Sequence, residues 1–478
     1  MDKQTNFDMV LFGATGDLAM RKLLPCLYQA HAAGLLHPAG RILGVSRSRL
    51  SRDEFLAKVE SDSKIHVKEN FADATWADFI KRIDYLTLDV TQPAHFVDLA
   101  AKVNARTETD NVVIYLSTAP KFFAPACQAL ADVGLNHDKV RIVLEKPLGT
   151  DLPSCQQINA DVAQYFKEEQ VYRIDHYLGK ESLQNLLPLR FANVFFDHVW
   201  HRDFVQSVQI TIAEQLGVEE RGEFYDITGA LRDMVQNHII QMLCFTAMEC
   251  PKSLSADDVR DEKMKVLQAL KVMSSAEVDA NVVRGQYTAN DKGQVGYLQE
   301  HHVPADSQTE TYVAVRAEIN NERWQGVPFY LRTGKRMADK ATEIVLNFKE
   351  RSDNLFGNTP NRIVIRFQPE EIKLHIFVKQ AGNGMKLVAS EMTLNLAQAS
   401  SERRAEAYEL LLREVIDGRL NLFNRRDELE AAWAWVMPIM ENWANSSTPP
   451  HGYPAASWGP QAARDLLARD GNAWLEDQ

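Results

Sequence analysis

Paired cysteines are missing from this chain. Its five, Cys26, Cys127, Cys155, Cys244 and Cys250, lie far apart with no CxxC spacing. That pattern fits reduced thiols in a cytoplasm better than a disulfide framework or a zinc site. Long apolar runs are missing too, since none reaches the roughly 20 residues that span a bilayer. Basic charge is in deficit: 53 Lys and Arg stand against 65 Asp and Glu, a formal charge of −12. Nucleic acid and anionic membranes ask for a basic face, so neither is an expected partner. An anionic substrate would need a local basic pocket. The polar opening Met1-Asp-Lys-Gln-Thr-Asn leads straight into a strand pattern, so no secretory leader is expected. No internal repeat or low-complexity segment is visible. What is present is ordinary globular material, 478 residues at 45% hydrophobic, enough for about two or three domains.

The first third alternates short apolar runs with amphipathic stretches. Met9–Phe12, Arg41–Ser46, Tyr85–Val90, Asn111–Ser117 and Arg141–Glu145 read as strands, and Leu18–Gly34, Ser51–Glu60, Pro93–Lys102, Phe122–Val133 and Asp151–Lys167 as helices. Ser51 with Glu54 forms a capping box. This alternation predicts a parallel sheet covered on both faces, with ligands collecting at the strand carboxyl ends. After about residue 175 the rhythm changes. A long helix pattern covers 226–248, and strand patterns follow at Thr311–Ile319, Pro328–Arg332, Glu343–Phe348, Arg362–Phe367, Ile372–Val378 and Met385–Ser390. Strands in succession suggest a large, mainly antiparallel sheet. Helix patterns near 402–417 and 427–445 close the domain, and a tail with Pro449, Pro450, Pro454 and Pro460 reads as irregular surface. The expected fold is a doubly wound, Rossmann-like α/β domain over 1–175, followed by an α+β domain over 176–478.

Gly13-Ala14-Thr15-Gly16-Asp17-Leu18 sits between the first strand and first helix. Glycines there allow a tight turn that brings amides and a helix N-terminus against a pyrophosphate. The run departs from GxGxxG at Thr15 and Leu18. The second strand ends in Ser46-Arg47-Ser48, where an NAD-preferring fold would carry an acidic residue. A guanidinium and hydroxyls suit a 2′-phosphate, so NADP is the expected cofactor, with secondary use of NAD left open. The fifth strand runs into Glu145-Lys146-Pro147-Leu148-Gly149. Its lysine, at a strand carboxyl end, can hold a substrate oxygen or the cofactor, and Pro147 suits a cis peptide.

Arg173-Ile174-Asp175-His176-Tyr177-Leu178-Gly179-Lys180-Glu181 is the densest polar cluster. If a helix starts there, His176 and Lys180 share a face and, with Tyr177, make a phosphate clamp. On the later long helix, Asp233, Asn237, His238 and Gln241 fall within an arc of roughly 140° at 100° per residue, opposite Leu231, Val235 and Ile239. A histidine so placed suits proton removal from a sugar hydroxyl as hydride leaves, and a carboxylate on its other nitrogen would stabilise the imidazolium.

Together GATGDLA at 13–19, EKPLG at 145–149, RIDHYLGKE at 173–181, RDMVQNH at 232–238 and LRTGK at 331–335 resemble the glucose-6-phosphate dehydrogenase family over essentially the whole chain. The resemblance implies oxidation of β-D-glucose 6-phosphate at C1 to 6-phospho-D-glucono-1,5-lactone with hydride transfer to NADP, the first step of the oxidative pentose phosphate pathway. It implies His238 as general base, Asp175 as its partner and Lys146 between sugar and nicotinamide. It further implies His176, Tyr177 and Lys180 on the 6-phosphate, Glu214 and Asp233 on sugar hydroxyls, and Lys335 and Lys340 near the sugar and its phosphate. Gly13, Thr15, Gly16, Asp17, Leu18, Ser46, Arg47 and Lys146 would contact the cofactor. No metal is implied, and the family assembles as homodimers or homotetramers. Its vertebrate members carry a second, structural NADP site built from basic residues, of which the segment 339–348 keeps fewer. Two other readings remain: an oxidoreductase of unphosphorylated sugars, which would not need His176 and Lys180, and a non-catalytic NADP sensor, which would not need Asp175, Lys146 and His238.

Overall fold

A computed structural model describes residues 4–67, 71–350, 355–357, 359–398 and 402–477; the first three residues of the polar opening lie outside them. Six apolar runs form β1 (Phe7–Phe12), β2 (Arg41–Ser46), β3 (Ile83–Thr87), β4 (Asn111–Leu116), β5 (Val140–Leu144) and β6 (Val171–Ile174). They pair in parallel in the order β3-β2-β1-β4-β5-β6. Every residue of β1 is buried, as expected of a strand covered on both faces. The chain runs outward from β1 to β3 and then returns to lay β4 on the other side of β1. The carboxyl ends of β1 and β4 therefore flank the point where strand order reverses, the place where doubly wound sheets open a crevice.

The chain continues through β7 (Val205–Ala213), β8 (Val282–Thr288), β9 (Tyr312–Ala317), β10 (Phe329–Gly334), β11 (Ala341–Phe348), β12 (Arg362–Phe367), β13 (Glu370–Lys379) and β14 (Leu387–Asn395), then β15 (Phe423–Asn424) and β16 (His451–Pro454). Nine of these form one sheet in the order β14-β13-β12-β11-β7-β10-β9-β8-β16. Only the β7–β10 and β8–β16 pairs are parallel, so the sheet is mainly antiparallel, as expected.

A single cut does not describe the two compact units. The first comprises Met1–Lys180, Pro251–Arg260 and Arg404–Glu430, and the second takes the remainder. Packing explains the return of the two late segments, which a division at 175/176 does not anticipate. β15 adds antiparallel to β6, with the Phe423 ring edge-on to Tyr172 at 4.8 Å. The Arg260 guanidinium donates to the carbonyls of Leu420 and Phe423. The helix Ala407–Asp417 buries Leu411, Leu412 and Val415 in the same core as Leu23 and Leu27.

Two further expectations are corrected. The helix expected over 226–248 breaks at Gly229, where φ is 69° and ψ 170°, and resumes as a π-helix over Leu231–Ile239 before an α-helix over Ile240–Ala247. The tail is not irregular surface. It supplies β16 and the helix Gln461–Ala468, then covers the second sheet, where Gln209 donates to the Ala473 carbonyl and Arg332 stacks on Trp474 at 4.0 Å. Among the described residues no helix is long and apolar enough to cross a membrane.

Candidate active site

In the first unit, Gly13 follows β1 with φ of 73°, and a Cβ there would meet the Ser117 carbonyl oxygen at 2.3 Å. Only glycine allows that approach of the β1 and β4 ends. The Gly16 N–H closes the turn on the Gly13 carbonyl at 2.8 Å, and helix begins at Asp17. Helix starts leave N–H groups outside the intrahelical ladder, which suits a pyrophosphate. Thr15 is half-buried, and Asp17 is exposed beside Arg21 at 3.4 Å. Leu18, where the motif would carry a third glycine, packs against the hydrophobic core. Ser46 is buried, its hydroxyl 2.7 Å from that of Tyr85 and accepting the Ser48 N–H. Arg47 is exposed at the end of β2.

At the end of β5, Glu145 is buried and the Lys146–Pro147 peptide is cis. The Arg173–Glu181 segment is not a helix start. Arg173 and Ile174 end β6, residues 175–180 turn, and helix begins at Glu181. Buried Arg173 is an internal strut, bonded to Glu168 and Asn159. The Asp175 carboxylate, 2% exposed, accepts the Tyr177 N–H at 2.9 Å in an Asx turn. The Lys180 ammonium lies 4.7 Å over the Tyr177 ring, and His176 stacks on Tyr408 at 6.1 Å. The cluster thus comes together through a turn rather than through a helix face. Gly179 permits it, since a Cβ there would meet the Ala407 carbonyl oxygen at 2.6 Å.

In the second unit, His238 is 1% exposed on the π-helix. With i→i+5 bonding, the 100° spacing behind the expected arc does not hold. Asn237 instead straps the helix backbone, accepting the His238 N–H at 2.6 Å and donating to the Arg232 carbonyl at 3.2 Å. Gln241 is buried and accepts from Lys263 at 2.9 Å. Asp233 stays half-exposed. Glu214, just past β7, pairs with the buried Lys335 ammonium at 2.6 Å. Tyr225 is the hub of this group, with Lys335 4.9 Å over its ring. Burial and then the charges of Asp233, Glu310 and Glu214 push its hydroxyl well above the usual tyrosine range, so it remains a donor.

Lys340 stands directly before β11. It is exposed and lines a cavity of about 290 Å³ with Asp339, Glu343, Arg366, Trp458 and Glu476. Three carboxylates face two cations there, a balance that does not favour a dinucleotide phosphate. Sequence reading missed Tyr225, Glu310 and Tyr408. Tyr225 meets Lys335, Glu310 accepts the Leu231 N–H at 2.9 Å and Tyr408 meets His176, each across a long stretch of sequence that no local pattern marks.

The chain matches two family models, "Glucose-6-phosphate dehydrogenase, NAD binding domain" over residues 10–185 and "Glucose-6-phosphate dehydrogenase, C-terminal domain" over 187–475. It is 44% identical to a glucose-6-phosphate 1-dehydrogenase of Mycolicibacterium smegmatis, across 98% of this chain and 97% of that one. Among solved structures it resembles a glucose-6-phosphate dehydrogenase in complex with its substrate glucose 6-phosphate, with a TM-score of 0.92 at 33% identity over 98% of this chain and 99% of the other. The glucose-6-phosphate 1-dehydrogenase of Mycobacterium avium superposes with a TM-score of 0.87 at 34% identity, covering 99% of each chain. Matched from end to end at these identities, the chain belongs to the glucose-6-phosphate dehydrogenase family.

Proposed function

We propose that this chain oxidises β-D-glucose 6-phosphate at C1 to 6-phospho-D-glucono-1,5-lactone and reduces NADP, with NAD as a secondary acceptor. The observation that carries the reading is the full-length likeness to a glucose-6-phosphate dehydrogenase solved with its substrate. The Asp175–Lys180 turn supports it by gathering a carboxylate, an imidazole, a phenol and an ammonium.

The Gly13–Leu18 turn and Arg47 fit a dinucleotide with a 2′-phosphate, through close backbone approach at Gly13 and an exposed guanidinium after β2. When bound, NADP supplies the acceptor for the C1 hydride. His238 takes the anomeric hydroxyl proton as that hydride departs, and the O–H electron pair closes the C1 carbonyl. Asp175, oriented by the Tyr177 N–H, stabilises the imidazolium. Lys146 holds the substrate toward the nicotinamide. His176, Tyr177 and Lys180 hold the 6-phosphate, helped by Lys335 and Lys340, while Glu214 and Asp233 take sugar hydroxyls. No metal is assigned, because a positioned base suffices for this hydride transfer. Assembly as a homodimer or homotetramer through the large sheet belongs to the same proposal. Val378, Val388, Met392 and Leu394 are exposed on β13 and β14 and supply apolar surface for it. Residence in the cytoplasm is proposed as well, as five scattered cysteines with no CxxC spacing suggest.

An absorbance assay at 340 nm tests the activity, run with glucose 6-phosphate and with glucose, each with NADP and with NAD. Turnover that demands the phosphate and favours NADP is expected. Equal turnover of free glucose would replace this reading with an oxidoreductase of unphosphorylated sugars, and no turnover with any combination would favour a sensor.

A further inference from the structure

Glu145 lies between β5 and Lys146, 6% exposed. One carboxylate oxygen accepts the Tyr115 hydroxyl at 2.5 Å and the Tyr408 hydroxyl at 3.2 Å; the other accepts the Lys146 N–H at 3.1 Å. The donors come from β4, from the helix Ala407–Asp417 and from the residue that carries the candidate ammonium. A buried carboxylate is costly unless its lone pairs are met, and an apolar side chain would fill the same space more simply. Tyr408 has a second neighbour: its ring lies parallel to and offset from that of His176, the planes 8° apart and the centroids 6.1 Å apart.

We propose that Glu145 is a positioning residue that fixes the strand end bearing Lys146 and, through Tyr408, joins it mechanically to the His176 turn. This rests on the roles given above to Lys146 and His176. Burial pushes the Glu145 carboxyl above the usual carboxylate range against the pull of its three donors. Burial, then the Glu145 charge, pushes the Tyr115 and Tyr408 hydroxyls up, so both remain protonated and donate. The late segment 404–430 is thereby given a role beyond filling the core, because it brings the ring that touches both ends of the first unit's candidate site.

Paired variants of Tyr408 separate its two contacts. Tyr408→Phe keeps the ring on His176 and removes the hydroxyl from Glu145; Tyr408→Leu removes both. With glucose 6-phosphate and NADP, Tyr408→Phe is expected to lower kcat about 5-fold with KM for the sugar phosphate within about 2-fold, since small misplacements of a substrate-holding group cost rate. Tyr408→Leu adds a rise of about 5-fold or more in that KM. Glu145→Leu should lower kcat about 10-fold or more, and Glu145→Gln, which keeps an acceptor for the tyrosines, should recover much of it. If Glu145→Leu does not fold, the Tyr408 pair decides alone. Variants that lose thermal stability while keeping wild-type kcat and KM overturn the proposal and leave the function intact, as does an identical KM in the two Tyr408 variants. A wild-type protein inactive on glucose 6-phosphate overturns the function, and this proposal with it.

Discussion

The two units present their candidate groups by different physical means. In the first, backbone geometry does it: a left-handed glycine after β1, a strand end carrying Lys146 and an Asx turn holding Asp175. In the second, side-chain pairing does it: Glu214 locked to Lys335, Tyr225 beneath that ammonium, and Asn237 strapping the π-helix that bears His238. A site set by main-chain shape should fail when a Cβ is added. A site set by side chains should fail when one functional group is removed.

His238→Asn should give the largest effect, a fall in kcat of about 10³-fold with KM for the sugar phosphate nearly unchanged, as expected for losing a general base. Steady-state kinetics near wild-type rate would show that proton removal belongs to another group. Gly13→Ala comes next. The left-handed backbone costs about 1–2 kcal/mol, and the clash with a main-chain carbonyl adds to it, so KM for NADP should rise about 30-fold or more. An unchanged KM for NADP would mean that the turn is not shaped for the dinucleotide. Lys180→Ala should raise KM for glucose 6-phosphate about 10-fold, the loss of one charged hydrogen bond, and should leave KM for free glucose alone. Equal changes for both sugars would remove Lys180 from phosphate binding. Arg47→Ala should lower the preference for NADP over NAD about 5-fold, read as the ratio of kcat/KM values; a constant ratio would count against a 2′-phosphate contact.

The smallest expected effect tests burial rather than activity. Burial pushes the Cys127 and Cys155 thiols up to about 12, so at pH 8 both stay protonated and unreactive. Cys26 and Cys244 are buried, and Cys250, in the second unit, is the exposed one. Iodoacetamide at pH 8 should add a single label to the native chain, located by peptide mass spectrometry at Cys250. Rapid labelling of the first unit's cysteines would show that its core opens readily.

Legibility follows the same division. β1, β2, β4 and β5 can be read from MVLF, RILGVS, NVVIYLS and RIVLE because parallel strands covered on both faces are continuous apolar runs. β6 and β15 escape notice since VYRI runs into the polar cluster and FN is two residues long. β7 is hidden because Gln209 and Thr211 are polar yet buried. The tail covers that face of the sheet, and its prolines conceal both β16 and the covering helix. The site motifs can be read as short strings of unusual chemistry. The Gly229 break and the π-helix cannot, because a change of hydrogen-bond register leaves no compositional trace. Tyr225 and Tyr408 stay silent for a different reason: tertiary proximity gives them their meaning.

The segmentation of the first unit has a consequence for its birth on the ribosome. Its sheet edge at β6 is completed only by β15, and its core only by Leu411, Leu412 and Val415. At about 5–20 residues per second, the stretch between 180 and 404 takes roughly 10–45 s to synthesise. Through that interval the nascent nucleotide-binding half leaves the outer edge of β6 open and part of its apolar core uncovered. Completion of that half is therefore expected to wait for residues 404–430.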